Sequence, residues 1–353
     1  MGNQVASYAY LNTRVSLMAK QLLHRKQRQA LLQLPLSELG PLLTQAGVGA
    51  LAQQLPKDPA RLEQFLATVL VGESIKLMRC LNSSERNFIR HWMRRLELIN
   101  LKFLLRTKFS GSQPIDPSRH LLDLAGLGSL ELQTLINTDS IEEFLRQLQS
   151  SSYRSMARPA RKAFEEHRSL FDVEAALDAN YYSHLVQLAS ALEGRHKQQT
   201  ESLLRTWLDQ INLVSLLRFR FVYKLSPPHA YFLLAPGGHR LSLRTLQQLA
   251  QLASVKEVVE HLPAPLQQQL AETGDIEDIE HHMQQLVRTR ANKILRKQRF
   301  NMAIAYAYLY LREQQIQLIH AVLKGHLLGL STELIQFCGD PLAFPALARR
   351  ELP

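Results

Sequence analysis

The chain has 353 residues, 46% of them hydrophobic, and a formal net charge of +11 from 42 Lys and Arg against 31 Asp and Glu. No apolar run approaches the roughly 18–20 residues that span a bilayer, and Cys80 and Cys338 alone exclude a disulfide framework or a cysteine-built metal set. The positive balance favours acidic partners, whether nucleic acid, anionic lipid or an acidic protein.

Taken in order, the N-terminus lacks a charged region followed by an apolar one, so a signal peptide is not expected. An amphipathic helix is predicted from near Tyr8, a better account of the opening residues than the nominal myristoylation pattern of Met1-Gly2 with Ala6 and Ser7. Arg61-Leu62-Glu63-Gln64-Phe65-Leu66 comes next, then Leu96-Glu97-Leu98-Ile99-Asn100-Leu101, Leu104-Leu105 and Arg106. Gly126 and Gly128 punctuate a loop before Leu130-Glu131-Leu132-Gln133-Thr134-Leu135, and Ser140 stands three residues before Glu143 as a capping box.

The same order then returns. Phe171-Asp172-Val173-Glu174 precedes Leu208-Asp209-Gln210-Ile211-Asn212-Leu213, Leu216-Leu217 and Arg218. Gly237 and Gly238 precede Leu241-Ser242-Leu243-Arg244-Thr245-Leu246, and a second capping box joins Ser254 to Glu257. A third pass runs from Glu277-Asp278-Ile279-Glu280 to Gln314-Gln315-Ile316-Gln317-Leu318-Ile319, Val322-Leu323 and Lys324. Copies one and two lie 112 residues apart, and copies two and three 106.

Such repetition means one folding unit used three times. Units of 1–112, 113–226 and 227–330 are expected, with a tail of 331–353. Leu, Gln, Ala and Arg dominate, so the chain is predicted to be all-α. Two short stretches, Arg218–Tyr223 and Ala230–Leu234, are the weak strand candidates.

At about 100° per residue, Glu97 and Asn100 share one helical face, as do Asp209 and Asn212. Leu98, Ile99, Leu101, Phe103, Leu104 and Leu105 surround the first pair, and a helix apolar almost all round is buried. These polar residues, with Gln315 in the third copy, are therefore expected to form a satisfied polar network that fixes the packing, rather than to touch a ligand. Arg106, Arg218 and Lys324 follow nine residues later, near helix ends where the dipole favours cations. They are also candidates to face an acidic partner around a pseudo-threefold axis.

No catalytic signature accompanies this. His281-His282, His91, His184 and His320 have no zinc spacing, and phosphate-loop and nucleophile-elbow motifs are absent. The basic run from Arg288 to Arg299 reads as a solvated helix face, without the interleaved aromatics of a nucleic-acid surface.

In order along the whole chain, these segments resemble the C subunit of the archaeal and bacterial A/V-type rotary ATPases, whose counterpart in the eukaryotic vacuolar enzyme is its d subunit. The carriers are Tyr8-Ala9-Tyr10-Leu11-Asn12-Thr13-Arg14-Val15, Arg95 to Lys102 with Arg106, Val173-Glu174 to Leu177 with Tyr181-Tyr182, and Tyr308-Leu309-Tyr310-Leu311-Arg312-Glu313 with Lys324-Gly325. The third copy departs, with Gln315 and Leu318 where the family usually has Glu and Asn, and His320 where it often has Arg.

The resemblance implies a funnel of three helical bundles, peripheral on the cytoplasmic face of a membrane, expected to be a prokaryotic plasma membrane. It implies a non-catalytic rotor part that seats the central stalk on the membrane rotor ring and passes torque for proton or sodium transport. Partners would be central-stalk and rotor-ring subunits, with no cofactor, nucleic acid or small-molecule substrate. Arg14, Lys102, Arg106, Arg218 and Lys324 are the residues expected to meet the stalk. The alternatives are a basic helical-repeat protein that binds nucleic acid, or a scaffold for another complex.

Overall fold

The computed structural model describes residues 2–110, 117–128, 130–297, 300–331 and 334–335. Among them the regular elements are helices and no strand occurs. Most of the expected tail 331–353, Cys338 with it, lies outside the described residues, as do Arg299 and the expected boundary at 112/113. The chain divides into two compact units, Met1–Ile141 with Leu295–Pro353, and Glu142–Ile294.

The first unit contains α1 (Gly2–Ala19), α2 (Arg25–Gln33), α3 (Gly40–Gln45), α4 (Ala50–Gln53), α5 (Pro59–Met78), α6 (Ser83–Ser110), α7 (Leu132–Ile136) and α17 (Ala303–Leu327). Helix α5 starts where Asp58 accepts from the Ala60 amide at 2.9 Å and Pro59 presets the first turn. Leu62, Leu66, Leu70 and Leu77 recur on its buried face, and α5 packs along α17. Phe88 and Trp92 of α6 meet the Tyr306 ring edge-on, with centroids 5.0 and 5.7 Å apart.

A buried charge sits in this core. Arg312 of α17 is 0% exposed, and its Nε and Nη2 donate to the Glu73 carboxylate of α5 at 2.9–3.1 Å. Tyr308 donates to Glu73 Oε2 at 2.7 Å, and Arg312 Nη1 donates to the Ala46 carbonyl, at the end of α3, at 2.7 Å. The guanidinium thus ties α17 to α5 and α3, and its partners offset the cost of taking it out of water.

The second unit holds α8 (Ile141–Gln149), α9 (Arg154–His167), α10 (Leu170–Ser190), α11 (Gly194–Leu217), α12 (Pro227–Phe232), α13 (Leu243–Ala250), α14 (Val255–Glu260), α15 (Ala264–Leu270) and most of α16 (Ile276–Lys297). Helix α9 packs closely on α10 and buries the small residues Ala157, Ala160 and Ala163. Ser254 caps α14 by accepting from the Glu257 amide at 3.2 Å, while Glu257 reaches back one residue further, to the Ala253 amide at 3.1 Å.

Neither strand candidate forms a strand, and most of each is helical. Arg218–Val222 continues α11 as a π-helical turn, with the Tyr223 amide donating to the Arg218 carbonyl at 2.9 Å. Ala230–Phe232 ends α12, which Pro227 starts. The local β-propensity of Phe219, Phe221 and Val222 is overridden because Leu216, Leu217 and Phe219 carry a buried helical face through this stretch.

Replacing Arg312 with Met should leave Glu73 buried without its cation and cost about 3–5 kcal/mol. Denaturant unfolding of the variant would show it; an unchanged midpoint would contradict the role of this pair.

Candidate functional site

The repeated polar residues reach out of their helices to hold loop backbone. In α6, Asn100 is 0% exposed and pairs with both backbone groups of Leu122. Its Nδ2 donates to the Leu122 carbonyl at 2.9 Å, and its Oδ1 accepts from the Leu122 amide at 2.8 Å. One turn earlier, Glu97 Oε1 accepts from the Leu130 amide at 2.8 Å. A Cβ on Gly128 would stand 3.1 Å from that oxygen, so the loop comes this close because the residue has no side chain. Leu121–Leu124, Ala125, Gly126 and Gly128 line an open cleft at this point.

Helix α11 repeats the device. Asn212 donates to the Ala235 carbonyl at 2.8 Å and accepts from the Ala235 amide at 2.9 Å. Asp209 Oδ1 accepts from the amides of His239 at 2.9 Å, Arg240 at 3.1 Å and Leu241 at 2.9 Å, and Oδ2 accepts from Arg240 at 2.9 Å. A Cβ on Gly238 would lie 2.6 Å from the Leu241 carbonyl oxygen and against Asp209 itself. Burial pushes the Asp209 carboxyl above its ordinary pKa, and the three amides pull it back.

The third copy uses different chemistry. Gln315 of α17 accepts from the Leu23 amide at 2.6 Å through Oε1 and donates to the Gln21 carbonyl at 2.9 Å through Nε2. Leu318, at the position of Asn100 and Asn212, is buried and apolar.

The candidate cations separate into kinds. Lys102 is only 5% exposed on α6, a position that offers little surface to a partner. Arg218 is ion-paired with Glu280, so it already has an acidic partner within the second unit. Lys324 is exposed in the last turn of α17. Arg106 is half-buried on α6, and Arg14 is half-buried on α1 with its guanidinium 5.4 Å from the Tyr10 ring centre.

Two cations outside that candidate set have structural work. Lys108 Nζ donates to the Ile136 carbonyl at 3.0 Å and to that of Thr138, beyond the end of α7. Arg220, 112 residues later, donates to the Ala250 carbonyl at 2.7 Å at the end of α13 and to that of Leu225 at 2.6 Å. Both sit two residues past the repeated cation and satisfy carbonyls that the short helices leave open. The signal was present in their matched spacing.

His320, one turn before Lys324, is pushed down to about 4 from 6.5, by burial first and by the Lys324 charge second. A base depressed in the folded state contributes stability that is present above pH 6.5 and is lost as pH falls through about 4. Unfolding measured across that window should therefore show stability declining with acid, and His320→Gln should flatten part of the slope. An identical slope in the variant would contradict this. Separately, Asn212→Leu leaves a buried amide and carbonyl of Ala235 unmet and should cost about 2–4 kcal/mol in denaturant unfolding. A midpoint that stays in place would rule out the clamp.

Comparison with known proteins places this geometry in a family. The family model described as "ATP synthase (C/AC39) subunit" matches residues 11–337. Among curated relatives, the C subunit of the A-type ATP synthase from Methanocaldococcus jannaschii is 22% identical over 344 residues, covering 94% of this chain and 86% of its own length. Its namesake from Halorubrum lacusprofundi is 23% identical, covering 78% of this chain and 80% of its own. Another of the same name, from Methanothermobacter thermautotrophicus, is 22% identical, covering 90% and 83%. The match runs through all three clamps, and the chain belongs to the ATP synthase (C/AC39) subunit family.

Proposed function

We propose that this chain is the non-catalytic socket of a rotary ATPase rotor, seating the central stalk on the membrane rotor ring and passing torque between them. The observation that carries this reading is the family match over residues 11–337 combined with the three-times-used clamp. A part that transmits torque has to resist internal shear. Helices tied to loops by buried polar pairs meet that need better than apolar contact alone, because hydrogen bonds have direction and apolar contact does not.

The three repeats would surround the stalk foot as a pseudo-threefold funnel. Among the described residues no helix is long and apolar enough to cross a membrane. The proposed place is peripheral, on the cytoplasmic face of a prokaryotic plasma membrane, with proton or sodium transport in the ring as the coupled process. Of the candidate cations, Arg14, Arg106 and Lys324 are the proposed stalk contacts; Lys102 is 5% exposed, and Arg218 pairs with Glu280.

A gentle-detergent pull-down of the tagged chain from its host's membranes, read by mass spectrometry, should recover rotor-ring and central-stalk subunits. Recovery of nucleic acid or unrelated proteins without ATPase subunits would overturn the reading. Reversing the charges of Arg14, Arg106 and Lys324 together should reduce stalk recovery while circular dichroism stays unchanged. Full recovery would remove these residues from the contact.

A further inference from the structure

We propose that Gln315 is a head-to-tail latch: the segment Gln21–Leu23 takes the place of the loop held by the repeated helix in the other two copies, so the first residues of the chain complete its last repeat. The argument rests on hydrogen-bond chemistry. Glu97 and Asp209 face backbone amides, and a carboxylate only accepts. Gln315 faces one amide, that of Leu23, and one carbonyl, that of Gln21. A side-chain amide offers a donor and an acceptor together, which an ionised carboxylate does not. The change from acid to Gln in the third copy thus matches a change in what the loop presents. It also accounts for Leu318, since one side chain now does what an acid and an Asn do elsewhere.

Other contacts join the same two ends. The Phe300 amide, ahead of α17, donates to Asn12 Oδ1 of α1 at 3.3 Å. Arg312, on the same helix as Gln315, donates to the Ala46 carbonyl. Helices α1 and α2 both pack on α17. The contacts of Gln315, Phe300 and Arg312 all lie in the first unit, which itself combines the beginning and the end of the chain. The latch would hold whether or not the chain serves a rotor, because it depends only on these contacts.

The test uses the full chain with Gln315→Glu and with Gln315→Leu, read by amide hydrogen exchange at Leu23 and at Leu241 of the second unit. At neutral pH the Glu variant sets a carboxylate against the Gln21 carbonyl, and Leu23 protection should fall about tenfold or more with Leu241 unchanged. At low pH the protonated Glu regains a donor, and its Leu23 protection should rise above that of the Leu variant. If the Glu variant does not fold, the Leu variant against the parent protein makes the same neutral-pH comparison. Unaltered Leu23 protection in the variants would overturn the latch, and so would an equal loss at Leu23 and Leu241, which would mean global loosening.

Discussion

A polar side chain inside an apolar helix cannot be left alone, and the rest of this structure follows from how that demand is met. Glu97, Asn100, Asp209, Asn212 and Gln315 are all buried on long helices, beside buried apolar residues such as Leu98, Leu101, Leu208, Leu213 and Ile316. Each unmet polar atom there would cost on the order of 1–3 kcal/mol. The loops supply the partners: Leu122 and Leu130, Ala235 and His239–Leu241, Gln21 and Leu23. A loop so held has its own amides and carbonyls satisfied, so it can lie against a core instead of running free over the surface.

Cations are used in the same way. With a formal net charge of +11 the chain invites a reading in terms of external acidic partners. Several of its basic side chains instead serve carbonyls and carboxylates at home: Lys108 and Arg220 at the ends of short helices, Arg312 at Ala46 and Glu73, Arg95 at Glu313. The Arg95–Glu313 pair is buried enough that the glutamate is pushed up, with its arginine pulling against desolvation. Fewer basic side chains are therefore open to a partner than the 42 Lys and Arg suggest, while the net charge stays as it is.

Sequence periodicity carried the helical class and the identity of the clamp side chains, because burial of a helix all round is written in its own residues. The clamps' partners are not written that way. Leu122 and Ala235 take part through main-chain atoms, which every residue has, and Gly128 and Gly238 look like turn punctuation until their closeness to Glu97 and Asp209 is visible. Arg218–Tyr223 misleads because aromatic and β-branched residues signal a strand locally, while the neighbouring leucines keep it helical. Lys102 looks available from its charge and spacing; its burial is a matter of what packs around α6, which spacing along one helix does not report. Gln315 looks like a lost contact and is a substituted one, since its partners come from the far end of the chain.

The clamp is the central claim, and site-resolved amide hydrogen exchange on the unmodified protein tests it most directly. Leu122, Leu130, Ala235 and Leu241 lie in loops, where amides ordinarily exchange fast. If buried side chains hold them, their protection should approach that of the adjoining helices α6 and α11. Exchange at the rate of open loops would show that the clamps are not populated in solution, and the physical reason for the threefold repeat would fall with them.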